Sequence, residues 1–396
     1  MSGARPGFFS FFLLGWLAFG AGPAAAEPAL AEPRAAGDAR LKPLAFADLA
    51  GWAADDHEAA VAAFRRTCRA IVEDRPAVRT AVPPGEDLKR VCAAATNPGP
   101  AGSAKAFFEE FFVPFEVVPP SGRGFLTGYF EPEYDGSLIQ SESFPVPLLA
   151  RPDDLVTVPQ GEAFPGLDGL KAGRRTAAGH EPYPDRAAIE DGALGGLAQP
   201  IVYLRDPVDA FIVHVQGSAR IRLPDGRTVR VAYAGRNGYP FTAPGRVIVE
   251  RGHVPLPEMN LERLTAWLRA NPEEGRDIMR LNRSYIFFRL ADELAPDDGP
   301  AGGAGVPLTA GRSLAVDRSS WSYGLPVWLE GELPAPGGSF EPLARLMVAQ
   351  DTGTAIVGPA RGDFFVGSGP EAGTRAGMLR HPVRFVVLLP RATTAP

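Results

Sequence analysis

Gly311-Arg312-Ser313-Leu314-Ala315-Val316-Asp317, Gln350-Asp351-Thr352-Gly353 and Arg361-Gly362-Asp363-Phe364-Phe365-Val366-Gly367-Ser368-Gly369 are the stretches that decide the fold. Each sets an aspartate beside an apolar run of strand character. Each carboxylate is therefore expected at a strand end or barrel rim, open on one side and rigid on the other. Aspartates gathered in one cleft repel, and one of them can then be held protonated near neutral pH as a general acid. Taken singly, each also fits a turn aspartate that accepts backbone N–H bonds. Asp351-Thr352-Gly353 matches the aspartic-protease signature as well. That chemistry needs two aspartates sharing a proton, and with one such triplet a protease would have to be a dimer using Asp351 from each copy.

Around these runs, strands are expected at 313–316, 326–329, 346–349, 364–366 and 384–389, closing a compact barrel or strand-swapped sheet. Upstream, the Gly- and Pro-rich stretch 298–305 reads as a boundary. Further strands are read at 124–132, 200–203, 210–215, 219–223 and 229–233, with a hairpin turn at 224–227. Helical periodicity marks 46–72, 104–115, 259–271 and 277–281, while 151–199 reads as irregular connection.

The whole chain of 396 residues suggests two or three domains. Its 45 Gly and 41 Pro disfavour long helices. A net charge of −6, with no concentration of Lys and Arg, argues against a nucleic-acid partner. Residues 1–26 combine Arg5, the apolar run Phe8 to Phe19 and Ala24-Ala25-Ala26, the parts of a secretory signal peptide; an uncleaved anchor is the alternative. No cysteine lies near the cleavage point, so a lipoprotein anchor there is not expected. Residues 27–42 read as a disordered lead. After export, Cys68 and Cys92 either form a disulfide between two packed helices or remain two buried thiols. The five histidines lack ligand spacing, and no metal or cofactor is expected.

A second constellation joins Gly128-Tyr129-Phe130-Glu131-Pro132, Gln216-Gly217-Ser218-Ala219-Arg220 and Tyr233 through Arg236-Asn237-Gly238-Tyr239. Aromatic rings beside amide, hydroxyl and guanidinium groups suit sugars, with rings on C–H faces and polar groups on hydroxyls and N-acetyl groups. Tyr129, Glu131, Gln216, Ser218, Arg220 and Tyr239 are the candidate substrate-binding residues. Half-buried core tyrosines and a plain turn at 236–238 are the competing reading.

Together with Asn282-Arg283-Ser284-Tyr285-Ile286-Phe287-Phe288, these motifs resemble the membrane-bound lytic murein transglycosylase A family, from about residue 105 onward. The three aspartate runs look like its three-aspartate (3D) domain. Gly362 before Asp363, and Thr354 where a second glycine is common, depart from that pattern without touching the aspartates. The resemblance implies a mainly β fold with N-terminal helices. A double-psi β-barrel would be assembled from 43–142 and 297–396, and a smaller β-domain, 143–296, would be inserted with a glycan groove between them. It also implies cleavage of the β-1,4 bond between N-acetylmuramic acid and N-acetylglucosamine in peptidoglycan, giving 1,6-anhydromuramyl ends. Asp363 would be the general acid/base, with Asp351 and Asp317 setting its pKa and holding it. The implied partner is peptidoglycan, met by a periplasmic monomer that is peripheral to the outer membrane or associated with cell-wall synthases. A cell-wall binding protein without turnover is the alternative of a different class.

Overall fold

The apolar alternation around the three aspartates builds adjacent strands of one barrel. The computed structural model describes residues 35–97, 102–159, 161–295, 297–335 and 339–392, so the expected signal segment 1–26 lies outside the described residues. The chain begins with strands β1 (Ala35–Ala36) and β2 (Ala39–Pro43), helices α1 (His57–Val72), α2 (Glu86–Thr96) and α3 (Ala104–Phe111), then β3 (Phe112–Val118) and β4 (Gly124–Glu131). A long excursion follows: β5 (Glu133–Ser137), β6 (Val146–Leu149), β7 (Leu155–Thr157), β8 (Ala172–Thr176), β9 (Gly179–Glu181), α4 (Arg186–Glu190), β10 (Pro200–Leu204), α5 (Pro207–Gln216), β11 (Ser218–Arg222), β12 (Thr228–Arg236), α6 (Pro244–Glu250), α7 (Leu261–Ala270), α8 (Pro272–Leu281) and β13 (Ile286–Leu290). The chain then returns through β14 (Ser313–Val316), β15 (Pro326–Pro334), β16 (Phe340–Asp351), β17 (Arg361–Ser368), α9 (Gly369–Met378) and β18 (Arg380–Pro390).

Strands β4, β18, β15, β16, β14 and β17 close into a six-stranded barrel, because β4 pairs with both β17 and β18. Two of the pairings, β14 with β16 and β17 with β4, are parallel. The excursion forms a second, six-stranded sheet, β13-β12-β11-β5-β10-β6, and a small one, β7-β8-β9. Leu148, Val202, Val213, Ile221, Val231 and Phe288, all fully buried, fill the core between the second sheet and α5.

Helix α1 starts at Asp56, whose side chain accepts the Ala59 N–H at 3.0 Å, a regular N-cap. It buries Ala60, Val61, Phe64 and Cys68. Gln350 fixes it to the barrel, donating from Nε2 to the Ala63 carbonyl at 3.0 Å and to Thr67 Oγ1 at 2.7 Å. Strand alternation sends the neighbouring side chain, Asp351, to the opposite face. Cys68 and Cys92 form a disulfide joining α1 to α2, with Cα atoms 4.6 Å apart.

Several sequence expectations change. Residues 35–43 are paired strands, so the lead expected to be disordered through 42 is ordered from 35. The helix expected over 104–115 ends at Phe111, and β-branched and aromatic residues continue as β3. Residues 210–215 are helical rather than a strand. Asp206 caps the turn, Pro207 sits at its first position and Gly217 ends it at φ +83°, and these end signals outweigh the β-branched Ile212, Val213 and Val215. The stretch 151–199 holds three strands and α4. Strand β5 already belongs to the second sheet, so the chain changes sheet at 132, not near 143. Helix α9 was not anticipated.

The crossing from β4 to β5 is held by Glu131, fully buried. Its Oε2 accepts from Arg220 Nε and Ser368 Oγ, each at 2.8 Å, and its Oε1 lies 2.8 Å from Arg230 Nε. Arg220 and Arg230 also donate to the Asp298 carbonyl, at 2.9 and 2.7 Å. Removing one member of a buried charge cluster strands the others. Glu131→Gln is therefore expected to cost about 3–5 kcal/mol in urea unfolding. Reducing the Cys68–Cys92 bridge is expected to cost about 2–4 kcal/mol in the same assay.

Candidate active site

Register builds the site. Ala315 on β14 pairs with Asp351 on β16 and with Asp363 on β17, and Asp363 pairs with Thr127 on β4. Asp351, Ala315, Asp363 and Thr127 thus form one row across four strands. The two carboxylates are two strand spacings apart, roughly 10 Å between Cα atoms, with only a methyl group between them. The row forms one wall of a cavity of about 280 Å³ between the barrel and the second sheet. Among the described residues lining it, Asp351 and Asp363 are the only carboxylates.

Asp363 takes a short hydrogen bond on Oδ1 from the Thr127 hydroxyl, which in turn accepts from Arg361 Nη2 at 2.6 Å. Burial raises the Asp363 carboxyl to about 6, although Arg361 and Thr127 pull it down; the Asp351 charge adds to the rise. Asp351 Oδ1 accepts the backbone N–H groups of Gly303 at 2.7 Å and Thr352 at 2.8 Å. Burial raises its carboxyl too, against Arg79 and those two N–H groups. Gly302 lets the backbone come this close, since a Cβ there would stand 2.5 Å from the Gln350 carbonyl oxygen.

The sequence candidates divide. Tyr129, Gln216 and Ser218 line the cavity. The Tyr129 ring packs on Phe365 at 5.3 Å, so it is held by the barrel and not presented as a free stacking platform. Its buried hydroxyl faces the Asp351 carboxylate and sits in the field of both aspartates; burial first, then those charges, push its pKa well up. Gln216 Oε1 accepts the Phe130 N–H at 3.2 Å.

Four candidates, Glu131, Arg220, Tyr239 and Asp317, do not line the cavity. Glu131 is consumed by its two arginines, and Arg220 is one of them, so neither is available to a sugar. Tyr239 is buried under the Arg283 guanidinium, 4.1 Å from its ring. Asn237 is buried and donates to the Pro184 and Arg283 carbonyls, so it anchors the chain just past β12 and is not free for a sugar. Asp317 does not line the cavity. It accepts from Ser319 N–H at 2.9 Å, Ser319 Oγ at 2.6 Å and Gly358 N–H at 2.6 Å. Burial opposes ionisation, but these bonds outweigh it and lower the Asp317 carboxyl. An ionised Asp317 pins Gly358, within the link between Asp351 and Asp363, and does not itself set the Asp363 pKa.

Thr127, Arg79, Tyr233, Arg361 and His214 also line the cavity. Tyr233 and Arg361 stand in the quoted motifs without an assigned role, and the sequence does not single out Thr127, Arg79 or His214. Thr127 enters only through the parallel β4–β17 register, and Arg79 comes from the irregular stretch after α1. Burial, then Arg186, lowers His214 well below the usual imidazole range, and its Nδ1 accepts the Ile286 N–H at 3.1 Å.

Comparison with known proteins agrees with this architecture. The MltA-specific insert domain matches residues 125–289 and the 3D domain matches 312–389. A membrane-bound lytic murein transglycosylase from Agrobacterium tumefaciens superposes with a TM-score of 0.78 at 37% identity, covering 89% of this chain and 98% of that one. MltA from Neisseria gonorrhoeae gives 0.75 at 31%, covering 93% and 97%. Membrane-bound lytic murein transglycosylase A of Vibrio cholerae is 36% identical over 202 residues, 50% of this chain and 54% of that protein, so the matched stretch spans about half the length of this curated relative. Two domain matches in order, on a closed barrel and the inserted sheet, mean that the chain belongs to the membrane-bound lytic murein transglycosylase A family.

Proposed function

We propose that this chain is a lytic transglycosylase that cleaves the β-1,4 bond between N-acetylmuramic acid and N-acetylglucosamine in peptidoglycan, with Asp363 as its single acid/base. The observation that carries the reading is the four-strand row, in which burial raises one carboxyl to about 6 and, among the described residues, no second carboxylate faces it across the cavity. A hydrolytic glycosidase flanks the scissile bond with two carboxyls, one of them serving a nucleophile or water on the opposite face of the sugar. Asp351 cannot take that position, because it shares a wall with Asp363.

The missing base is not needed when the nucleophile is part of the substrate. Asp363 gives its proton to the glycosidic oxygen as the C1–O4 bond breaks. The muramyl C6 hydroxyl oxygen bonds to C1, and its proton returns to the Asp363 carboxylate. The acid is regenerated and no water is added. Holding the C6 hydroxyl near C1 supplies the proximity that a bound water would otherwise need. Thr127 holds Asp363 in place through its hydrogen bond. An ionised Asp351 raises the Asp363 pKa by like-charge repulsion.

The dimeric protease reading requires the Asp351 carboxyls of two copies in mutual hydrogen-bond reach, whereas Asp351 faces this chain's own cavity with its Oδ1 bonded to the Gly303 and Thr352 N–H groups. Peptidoglycan lies outside the cytoplasmic membrane, so this function requires export, as the character of residues 1–26 suggests. Among the described residues no helix is long and apolar enough to cross a membrane.

Mass spectrometry of the soluble products released from purified sacculi tests the reaction: anhydromuropeptides are expected, and products one water heavier would make the enzyme a hydrolase. Asp363→Asn is expected to lower turnover by about 10²–10⁴-fold while keeping the fold. The pH dependence follows from the sign of the shift. A carboxyl raised to about 6 is the proton donor below that pH and loses its proton above it, so kcat/KM should fall as pH rises through about 6. The same shift makes the folded state bind the proton more tightly than the unfolded chain, so stability falls between pH 4 and 6, roughly the ordinary and raised values. Asp363→Asn should remove that part of the stability profile in pH-dependent thermal melts.

A further inference from the structure

We propose that Arg79, Arg236 and Arg318 form a cationic site beside the acid row that takes a carboxylate carried on the lactyl side of muramic acid, so that anionic murein strands are preferred over neutral N-acetylglucosamine oligomers. This rests on the transglycosylase reading and adds the substrate class that the cleft selects.

Arg79 lines the cavity and lies outside both matched domains. Its backbone N–H donates to the Gly303 carbonyl at 3.0 Å and its Nη1 to the Thr352 carbonyl at 2.6 Å. Its guanidinium lies 4.0 Å over the Tyr233 ring. Arg236 comes from the opposite sheet and donates from Nη1 to Thr354 Oγ1, at the cavity, at 2.9 Å. Arg318 donates from Nη1 to the Thr80 carbonyl at 2.8 Å, next to Arg79, and its own carbonyl accepts the Val82 N–H at 3.0 Å.

These hydrogen bonds all go to neutral oxygens. Among the described residues none of the three guanidiniums makes an ion pair, whereas Arg220, Arg230 and Arg312 each hold a carboxylate. The three also feel one another. Burial, then the charges of Arg79 and Arg318, lower Arg236 against the pull of Tyr233. Asp351 lies in the field of Arg79 without forming an ion pair with it, and its Oδ1 accepts the Gly303 and Thr352 N–H groups. Three cations in one another's field, with N–H donors left over and, among the described residues, no carboxylate within ion-pair distance, are complementary to an external anion, and guanidiniums suit a carboxylate. Muramic acid differs from N-acetylglucosamine by a lactyl ether. Its carboxyl is either free or linked to a stem peptide that carries carboxylates of its own.

The test measures binding in the Asp363→Asn background, so that turnover plays no part. The probes are an amidase-stripped murein oligomer with free lactyl carboxylates, the same oligomer bearing stems, and a neutral N-acetylglucosamine hexamer. At low salt, at least one murein probe is expected to bind about tenfold or more tightly than the hexamer, and salt should erode the difference. Whichever of the two keeps the advantage identifies the lactyl or the stem carboxylate as the anion. Arg79→Gln and Arg236→Gln should bring murein affinity to near that of the hexamer and leave the hexamer unchanged, and Arg79→Lys should retain part of the preference. Equal binding of all three probes, or an equal loss of hexamer affinity in the Gln variants, would overturn the proposal. The sacculus digest with wild-type protein reports separately on the transglycosylase reading.

Discussion

The cleft depends on a buried carboxylate that does not line it. Glu131 ends the last barrel strand before the chain leaves for the second sheet, and it collects Ser368 from the barrel with Arg220 and Arg230 from that sheet. A full charge without water must be balanced where it sits. The balance here fixes β4, β11, β12 and β17 around one point, and the Asp298 carbonyl, bound by the same two arginines, fixes where the returning chain re-enters. Tyr129, two residues before Glu131, and Gln216 and Ser218, just before Arg220, are thereby brought to one cavity. Residues that read as a sugar-binding set divide between those that hold the two walls together and those that face the space between them.

The barrel supplies chemistry through register. One row of four strands sets two acids apart by a methyl group, too far to share a proton and near enough for one charge to act on the other. Parallel pairing of β14 with β16 and of β17 with β4 is what brings these positions side by side. A one-residue slip would turn each side chain to the opposite face. The residues behind the row resist such a slip. Gln350 is buried and bonded to Ala63 and Thr67 of α1, and the Asp317 side chain holds Gly358 in the link that follows Asp351.

What the sequence made legible was local. Strand character around the aspartates, the hairpin at 224–227 and the amphipathic α1 and α7 follow from periods of two and 3.6 residues. The 3D runs picked out Asp351 and Asp363 because an acid at the end of an apolar run is conspicuous. Asp317 has the same signature, yet it is a turn acid, since only its partners, Ser319 and Gly358, distinguish it. Thr127 carries no signal, because its importance comes from pairing with a strand 236 residues away. Glu131 and Arg220 were legible as polar residues in a promising motif, but the presence of Arg230 as a second partner, which closes them to substrate, is a long-range fact.

Charge shows the same gap between composition and site. A chain with net charge −6 suggests a neutral or acidic groove, and the barrel wall does present two aspartates. Yet Arg79, Arg289 and Arg361 also line the cavity. Net charge governs solubility and long-range encounter, whereas an acid 10 Å or less from a guanidinium responds to that neighbour. Arg361 and Arg79 each oppose the effect of burial on the nearer aspartate, Asp363 and Asp351 respectively. Burial by itself favours the neutral form of both acids. With guanidiniums beside them, Asp363 settles at about 6, where one group can give a proton and then take one back. A single-residue acid/base mechanism needs that intermediate value, and in this fold it results from burial against a nearby cation.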